Sequence, residues 1–476
     1  MGKAEPLSIA CLWLIAHSSL LTAASLAHRC FSKGVSTLRK FLLLCASIGL
    51  FGCTFLIFVK WAPSQATPVD GTAGKTSLRW WKGNLHTHSL WSDGDDYPEM
   101  IVDWYKRNGY HFLALSDHNI LSEGQKWIDV AKSSGGMAAF NRYSARFDTD
   151  WVERRQQDGK LWARLKPLNE FRALFEEPSR FLLIQGEEIT DRFNSLPVHL
   201  NATNLIIYIP PQSGSSVLDT MQNNVNAVLK QQEETGQPMI VHVNHPNYGW
   251  AITAEEMAAL KGERFFEVYN GHPYVRNYGN AKRASAERMW DIILTRRLAE
   301  MGGEIMYGIA VDDAHNYHEQ AADKSNAGRG WVMVRSKYLT PESLIAAIEA
   351  GDFYASTGVS LNAIDYDGEK IRIDIQAKPG VTYTTQFIGT RRGYDRDSEP
   401  VIVMVKEQPV SVTRRYSDDV GLVLAQINGV APSYTLKGDE IYVRAKIISS
   451  KKKENPYAKG EVEVAWTQPV VPGNGM

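Results

Sequence analysis

The stretch GNLHTHSLWSDGD, residues 83–95, places two histidines one residue apart and an aspartate five positions after the second. On an extended chain, side chains at positions i and i+2 point to the same side, so His86 and His88 can bind one metal ion together. Two surface histidines would give the same pattern, so the pair alone is a weak signal. What the stretch indicates therefore depends on metal-favouring residues elsewhere in the chain.

The composition narrows the classes of protein to which the chain can belong. With 476 residues it is longer than one average domain and can bury a substantial core. Its formal net charge of −1 is a poor match to a long nucleic acid, so we expect no nucleic-acid partner. All four cysteines lie in the first 53 residues, so the later chain offers no disulfide framework and no thiolate nucleophile. Any metal ion must then be held by His, Asp and Glu.

An apolar run near the N terminus predicts a membrane segment. Residues 41–59 carry no charged side chain and, as a helix, would span roughly 28 Å, close to the hydrocarbon thickness of a bilayer. Residues 29–40 carry four basic side chains and no acid, which predicts a cytoplasmic loop with everything after residue 60 outside. We therefore expect a cell-membrane protein with an extracytoplasmic main domain. If a signal peptide or a lipoprotein signal at Cys53 is cleaved instead, the domain is periplasmic or secreted.

Strand and helix patterns alternate through the soluble part of the chain. Between about residues 80 and 315, β-rich runs such as FLLIQGEEIT and PMIVHVNHP alternate with helical stretches such as YPEMIVDWYKRNG, which predicts βα units around a parallel sheet, closed or open. TPESLIAAIEAGDFYAS, residues 340–356, predicts a last helix, and the runs beyond residue 360 predict a small β-domain. The predicted organisation is a membrane anchor or signal region at 1–61, a linker at 62–79, the main α/β domain at 80–358 with an insertion at 119–180, and a C-terminal β-domain at 359–476.

Metal-favouring residues recur at the predicted carboxyl ends of successive strands. In parallel βα architectures, binding sites form at this edge of the sheet. Asp313 and His315 repeat the i, i+2 spacing, which leaves Asp312 facing away. The other members of the pattern are Asp117 with His118, Glu187 with Glu188, His199 and His245. Such residues at six separate strand ends predict a multinuclear metal site.

The order of these motifs is similar to that of the polymerase-and-histidinol-phosphatase (PHP) metallohydrolases. The resemblance rests on HTHS with SDG, SDHN, GEE with VHLN, NHP and DDAH, and it covers residues 80 to about 390 except for the insertion. GRGWVMVRS followed by TPESLIAAIEAGDFYASTG resembles the carbaryl-hydrolase-type branch of the family, whose members carry an extra β-domain. The implied fold is α/β, a distorted (β/α)7 PHP barrel with a small C-terminal β-domain, preceded here by the N-terminal membrane segment.

The resemblance also implies ligands for two or three divalent metal ions. Gly186 matches the family pattern Gly-x-Glu, which selects Glu188 over Glu187. The implied ligands are His86, His88, Glu188 and Asp313 for the first ion, Glu188, His199 and His245 for the second, and Asp93, His118 and His315 for the third. Many family members have histidine in place of Asp93, so the third site departs most from the family. Nitrogen and oxygen ligands together suit Zn, Mn or Fe and do not select one of them.

A site of this kind implies hydrolysis by a metal-bound hydroxide. Metal ions a few ångströms apart lower the pKa of a shared water and hold the attacked ester, which removes the need for a Ser or Cys nucleophile. Metal-bound water, Asp117 or His272 could protonate the leaving group. The expected substrate is a small-molecule phosphoester. A carbamate, amide or carboxylic ester at the same metal site is the alternative, and a non-catalytic metal-binding module of the cell envelope is a third hypothesis.

Other polar residues at the same edge are expected to orient the ligands or to contact the substrate. His242 lies three positions before His245, so on a strand it faces the other way and is expected to pack or to orient a ligand. Asn201, Asn247 and Asn270 are candidates for orienting imidazoles or substrate. The insertion carries five arginines that could meet a phosphate but that we interpret mainly as solvated surface: Arg142, Arg146, Arg154, Arg155 and Arg164.

Overall fold

The computed structural model describes residues 77–405 and 408–473. The predicted membrane segment at 41–59, the four cysteines and most of the predicted linker lie outside the described residues. Among the residues that the structure does describe, no helix is both long enough and apolar enough to cross a membrane. The described chain has a mixed α/β fold built on one large sheet.

The first part of this chain alternates between strands and helices. The strands are β1 Arg79–Asn84, β2 Phe112–Leu115, β3 Lys126–Asp129, β4 Arg154–Gln157, β5 Lys160–Leu165, β6 Leu182–Phe193, β7 Leu196–Thr203, β8 Ile240–Val243, β9 Phe265–Asn270, β10 Tyr307–Val311, β11 Trp331–Ser336 and β12 Phe353–Ser356. The α-helices are α1 Pro98–Arg107, α2 Gly136–Arg146, α3 Leu168–Phe175, α4 Val217–Thr235, α5 Ala254–Ala259, α6 Ala286–Arg296 and α7 Pro341–Glu349. Short 3-10 turns occupy Val130–Lys132 and Tyr248–Trp250, and a π-helical turn at Arg297–Met301 follows α6.

Seven strands of the large sheet carry the predicted motifs, in the order β10–β9–β8–β7–β6–β2–β1. The two ends of this run meet just beyond β1 and β10. There the His88 N–H donates to the Ala314 carbonyl and the Asp313 N–H donates to the His86 carbonyl, both at 3.1 Å. We call this contact between residues 86–88 and 313–314 the seam. It closes the seven strands into a ring at their carboxyl edge.

One of the seven strands runs against the expected direction. We predicted only parallel βα units, which is wrong at β7, because β7 is antiparallel to both β6 and β8. Only Asn194 and Ser195 connect β6 to β7, so the two strands form a hairpin with no crossover helix. Pairing with β7 also extends β6 to Phe193, whereas we expected the strand to end near Glu188. Glu188 therefore lies within the strand, opposite Asn201.

The last predicted helix is shorter than the segment 340–356. The Thr340 hydroxyl accepts the Ser343 N–H and caps the start of α7, and the helix ends at Glu349. Gly351 follows with φ of 75°, a left-handed conformation that costs glycine little. The chain then turns into β12, which pairs with β11 and extends the sheet. The end of the predicted helix is therefore a strand.

The interior of the ring is apolar on the amino-terminal side and polar near the carboxyl ends of the strands. Phe112, Ile184 and Ile309 belong to one buried apolar cluster on the amino-terminal side of the carboxyl edge. Each such side chain stabilises the fold by about 1.5–3 kcal/mol through burial. Nearer the carboxyl ends the buried residues are polar, and His86 and Glu267 are fully inaccessible to solvent. The buried polar layer therefore lies on the carboxyl-terminal side of the apolar cluster.

The insertion folds as a small unit beside the loop that follows β1. Its three strands pair in the order β3–β5–β4. Tyr143 of α2 stacks on Tyr97 with ring centroids 4.0 Å apart, and its hydroxyl donates to buried Glu99 at 2.6 Å. Arg164 forms ion pairs with Glu153 and Glu170, each with a nitrogen–oxygen distance of 2.6 Å. The ion pairs of Arg164 therefore lie within the insertion, whereas Tyr143 attaches it to the segment that begins α1.

The later strands of the described chain are β13 Leu361–Tyr366, β14 Lys370–Ile375, β15 Tyr383–Arg391, β16 Ser398–Val405, β17 Gln408–Tyr416, β18 Leu422–Asn428, β19 Ser433–Thr435, β20 Glu440–Lys452 and β21 Val462–Thr467. Of these, β13, β14 and β19 form a three-stranded sheet and β16 and β17 a two-stranded sheet, whereas the other four extend the large sheet on the far side of β1. From β1 the sheet continues through β11, β12, β21, β20 and β15 to β18. Asp291 of α6 forms a buried salt bridge with Arg444 of β20 at 2.7 Å.

Candidate metal centre

Histidines and carboxylates from the seven strands converge at the carboxyl edge of the ring. The structure brings together all nine residues that were predicted as metal ligands: His86, His88, Asp93, His118, Glu188, His199, His245, Asp313 and His315. The seam places the histidines that follow β1 directly beside the residues that follow β10. Residues far apart in the sequence therefore share one site.

His86 and His88 lie at the centre of this cluster. Their Nε2 atoms are 3.0 Å apart. Glu188 Oε2 lies 3.4 Å from His86 Nε2 and 3.3 Å from His88 Nε2. Asp313 Oδ1 lies at 3.3 Å and 3.2 Å from the same two nitrogens. Separations of about 3.0–3.4 Å are those expected among ligands that surround one ion at about 2.0–2.2 Å.

Glu188 faces a second group of imidazoles with its other oxygen. Glu188 Oε1 lies 2.9 Å from His199 Nδ1 and 3.4 Å from His245 Nε2. Glu188 Oε2 additionally lies 2.8 Å from His118 Nδ1, so His118 is shared between this group and the next. The two oxygens of Glu188 therefore face different imidazoles.

A third group lies toward solvent. His88, Asp93, His118 and His315 offer ligand atoms that all fall within 4.8 Å of one another. Asp93 Oδ1 is 3.3 Å from His315 Nε2, and Asp93 Oδ2 is 3.6 Å from His118 Nε2. The Asp93 side chain is 57% exposed, whereas Glu188 is fully buried. This group is therefore the open side of the cluster.

The donor atoms fit divalent cations better than they fit a hydrogen-bond network. Glu188 Oε2 is buried and receives no well-aligned hydrogen bond, although imidazole nitrogens surround it. The facing Nε2 atoms of His86 and His88 can share at most one proton in a hydrogen bond. Buried polar atoms without partners are costly, and a bound cation would satisfy them. Imidazole and carboxylate ligands without thiolate suit Zn, Mn or Fe.

Burial and charge shift the pKa values at the centre in opposite directions. Burial opposes the charged form of His86, but attraction by Asp313 and the other carboxylates outweighs it and raises the His86 pKa well above its usual value. Burial alone would raise the pKa of Glu188. The neighbouring His118, His86 and His199 instead hold the pKa of Glu188 well below its usual range. The buried carboxylates are therefore ionised, as cation ligands must be.

Glu267 is the main residue of the site that sequence reasoning missed. It lies in β9, is fully buried, and places Oε1 2.6 Å from His86 Nδ1 and 3.4 Å from His242 Nε2. Its Oε2 accepts the His245 N–H at 2.7 Å. A carboxylate on the far nitrogen fixes the tautomer and orientation of a ligating imidazole. The available signal was a lone acid in the apolar strand FFEVYN, where a buried carboxylate needs partners.

Asparagines hold the carboxylates of the cluster in place. The Asn244 side chain donates to Glu188 Oε1 at 2.8 Å and to Asn201 Oδ1 at 3.0 Å. The Asn270 side chain donates to Asp313 Oδ2 at 3.0 Å. Asn201 and Asn270 were expected to orient imidazoles or to contact the substrate, and they contact Asn244 and Asp313 respectively. Asn244 was missed because its role depends on its position beside Glu188.

Asp117, predicted as a general acid, does not line the cavity above the cluster. Its carboxylate accepts the Ser89 N–H at 2.7 Å, the Ser89 hydroxyl at 2.8 Å and the Ser92 hydroxyl at 2.6 Å. Burial raises its pKa, and these hydrogen bonds oppose that shift. The structure therefore places Asp117 where it anchors the loop that follows β1.

His272, the other predicted acid, does line the cavity. Its ring centroid lies 5.5 Å from that of His315. Burial lowers its pKa to about 4, although Asp313 opposes the shift, so the ring is neutral near pH 7. The Tyr274 N–H donates to His272 Nδ1 at 3.2 Å, which leaves the proton on Nε2. His272 is therefore a neutral hydrogen-bond donor.

Two adjoining openings lie over and beside the cluster. A cavity of about 170 Å³ lies directly over it and is also lined by Tyr248 and Val275. A cleft of about 880 Å³ adjoins this cavity and shares His199 and Tyr248 with it. None of the five insertion arginines lines either opening. The cluster is thus buried at its base and open to ligands on one side.

Comparisons with known proteins give only distant similarities. No family model matches the chain, and no curated protein sequence matches it. One solved structure with similarity is a two-domain protein from Bacteroides vulgatus containing a predicted PHP-like metal-dependent phosphoesterase, at 13% identity, 83% coverage of this chain, 96% of that chain and a TM-score of 0.35. Another, from Bifidobacterium adolescentis, is described as a candidate metal-dependent phosphoesterase, at 12% identity, 49% coverage of this chain, 87% of that chain and a TM-score of 0.25. The candidate metal centre therefore rests on its own geometry.

Proposed function

We propose that this protein is a metal-dependent hydrolase of the PHP type that cleaves phosphoester bonds. The observation that carries the proposal is the position of Glu188, whose two oxygens face separate groups of imidazoles at the base of an open cavity. Structural metal sites are closed, whereas catalytic sites keep open positions for water and substrate. The ordered motifs HTHS, SDHN, NHP and DDAH support the family assignment.

The side chains of this centre have separable roles in the proposed reaction. Divalent ions bound here would lower the pKa of water and neutralise charge on the phosphoryl oxygens. Glu188 would supply a ligand oxygen to each of the two groups of imidazoles that it faces, and Glu267 holds the His86 ring in one orientation. His272 presents a neutral N–H at the cavity, where it can donate to a substrate oxygen. This division of roles requires no Ser or Cys nucleophile.

The proposed location of this activity is the outer side of the cytoplasmic membrane. The support is the uncharged run at 41–59 and the basic residues that precede it. Fractionation of cells that express the full chain tests this proposal. Recovery in the membrane fraction after alkaline washing is expected, whereas release into the soluble cytoplasmic fraction would contradict it.

Metal analysis and hydrolysis assays of the purified full chain test the proposed function. We expect two or three equivalents of divalent metal, turnover of a phosphomonoester or phosphodiester, and loss of both in the His86→Ala variant. His318→Ala is the matched control, because this loop histidine contacts the Asp95 carbonyl at 2.9 Å outside the cluster.

Three other outcomes would revise the proposal. Cleavage of only an aryl carbamate or a carboxylic ester would favour the alternative hydrolase. Full metal content without turnover of any of these substrates would favour the non-catalytic module. Absence of bound metal would overturn the assignment of the centre.

A further inference from the structure

The cleft beside the metal cavity is large enough to hold most of a substrate. It encloses about 880 Å³, compared with about 170 Å³ for the cavity over the cluster. His199 and Tyr248 line both openings, so the two spaces adjoin each other. A molecule whose reacting bond lies at the metal centre would therefore extend into this cleft.

The cleft carries positive charge that no carboxylate of the described chain neutralises. Arg192 at the end of β6 and Arg276 after β9 both line it, and neither forms an ion pair with any described residue. Asp191 is the one acid among the lining residues, and it is buried. Its Oδ2 accepts the Ser213 N–H at 2.8 Å and the Asn224 side chain at 2.9 Å. The cleft therefore offers guanidinium groups to an anion.

Arg276 is held in place by its surroundings. Its φ of 56° is left-handed, which is rare for a long side chain and recurs at functional sites. The Asn247 side chain donates to the Arg276 carbonyl at 3.2 Å, and the Gly279 N–H donates to it at 3.0 Å. The guanidinium carbon lies 4.9 Å from the centroid of the Trp250 ring. Backbone and side chain are thus both restrained before any ligand binds.

The segment that carries Arg276 also reaches the metal centre. His272 and Val275 line the metal cavity, whereas Tyr274 and Arg276 line the cleft. The Tyr274 side chain is largely exposed and, with Tyr248, gives the cleft two aromatic surfaces. A single ligand can therefore contact the cluster, an aromatic ring and a guanidinium at the same time.

We propose that the substrate is a phosphoester whose non-reacting part carries a second anionic group, and that Arg276 binds this group with help from Arg192. The inference rests on the proposed function, because it places the reacting phosphoester at the metal centre. A guanidinium offers paired N–H donors that match a carboxylate or a phosphate. Tyr248 and Tyr274 flank the part of the substrate that joins its two anionic ends. Arg276 is thus the residue that determines specificity.

Matched aryl phosphates test this inference on the metal-loaded full chain. The probes are 4-carboxyphenyl phosphate, 4-(phosphonomethyl)phenyl phosphate and the neutral reference 4-carbamoylphenyl phosphate. We expect kcat/KM to be about 10-fold to 100-fold higher for a charged probe, mainly through KM, as for one hydrogen bond to a charged group. The better of the two charged probes identifies the anionic group as a carboxylate or a phosphate.

Variants assign the preference to the guanidinium. Arg276→Gln should bring the charged-to-neutral ratio of kcat/KM close to one, and Arg276→Lys should keep part of the ratio. The control is Arg180→Gln, which removes an arginine with an 80% exposed side chain near the amino end of β6, away from the cleft. This control should leave the ratio as it is in the native protein.

Calorimetric binding of the corresponding benzylphosphonates, which cannot be hydrolysed, separates this inference from the proposed function. Equal kcat/KM for charged and neutral probes, or a preference that survives Arg276→Gln, would overturn the inference and leave the hydrolase assignment intact. Binding of the charged phosphonate that depends on Arg276, without turnover of any phosphate, would support the cleft and overturn the phosphoesterase. Absence of both turnover and charge-dependent binding would overturn the inference as well.

Discussion

At the scale of single residues, two adjacent glutamates point to opposite faces of β6 and have different roles. Glu188 faces the imidazoles of the metal centre, whereas Glu187 points to the other face of β6 and accepts the Ile209 N–H at 3.2 Å. This follows from the alternation of side chains along a strand. Burial raises the pKa of Glu187 to about 8, so this carboxyl is largely protonated at neutral pH.

Conservative substitutions of the two glutamates should have different effects on metal binding. Glu188→Gln removes the carboxylate that faces both groups of imidazoles, so we expect loss of at least one equivalent of metal and a fall in turnover of about 100-fold or more. Glu187→Gln should keep both, because its side chain does not face the centre. Elemental analysis of the two purified variants decides between them, and equal metal loss in both would contradict the assignment.

The same Glu187→Gln variant makes a prediction about pH. The folded-state pKa of about 8 lies above the usual 4.5, so the stabilisation by the protonated form is full below pH 4.5 and is lost as the pH rises through 8. Glutamine cannot ionise and avoids this loss. The melting temperature of Glu187→Gln relative to the native protein should therefore rise between pH 6 and pH 9. A difference that is constant or falls over this range would show that Glu187 does not titrate in this way.

At the scale of elements, hydrogen bonds to the Asp312 carboxylate join the end of β10 to the segment that leads into β11. The N–H groups of Gly328, Arg329 and Gly330 donate to its carboxylate at 2.9, 2.6 and 2.8 Å, and Tyr105 donates its hydroxyl at 2.8 Å. The i, i+2 spacing of Asp313 and His315 predicted that Asp312 would face away from the centre, and this orientation is confirmed.

Asp312→Asn should weaken these hydrogen bonds without removing a candidate metal ligand. An amide can accept fewer of these hydrogen bonds, so we expect a loss of about 1–3 kcal/mol in the free energy of unfolding. Asp313→Asn is the matched control, which should lose metal but unfold at nearly the same temperature as the native protein after chelation. Thermal unfolding with and without EDTA, combined with metal analysis, measures both effects. Metal loss in Asp312→Asn at full stability would contradict the prediction.

Local residue spacing made many of the candidate ligands predictable from the sequence. The direction of the strands and the contacts between distant segments could not be predicted in this way. The pairs His86 with His88 and Asp313 with His315 are visible in the sequence because strand geometry aligns positions i and i+2. The direction of β7 is set by the Asn194–Ser195 turn, and nothing in FLLIQGEEIT shows that its strand continues to that turn. Contacts of this second kind form only when distant segments meet.

Glu267 is a further case of long-range dependence. Its own strand reads as an apolar run with one acid, and its contact with His86 is fixed by how β1 and β9 come together in the ring. Residue spacing therefore identified the candidate ligands, whereas the orienting roles of Glu267 and Asn244 depend on contacts that form only in the folded chain.

At the scale of the whole molecule, two ion pairs join the same helix and strand in different environments. Asp291 and Arg444, from α6 and β20, are almost fully buried, with side-chain exposures of 6% and 1%. Glu287 and Lys446, from the same two elements, are 23% and 22% exposed. These contacts tie the later strands to the helices around the ring.

Loss of the buried pair should cost far more stability than loss of the exposed one. Arg444→Met leaves the Asp291 carboxylate buried without its cation, so we expect a loss of about 3–5 kcal/mol in the free energy of unfolding. Lys446→Met should cost less than about 1 kcal/mol, because the partly exposed pair is screened by water. Denaturant unfolding of the two variants provides the comparison. Similar losses in both would show that burial does not decide the strength of these contacts.

The seam has a consequence for the lifetime of the protein in its environment. Two backbone hydrogen bonds join residues 86–88 to residues 313–314, and residues 89–312 lie between these segments in the chain. Ions held by His86, His88 and Asp313 would act as a cross-link across this long loop, slowing the opening that exposes the chain to proteases. Metal supply would then govern the abundance of the protein as well as its rate of turnover, since starvation for metal would lead to its degradation.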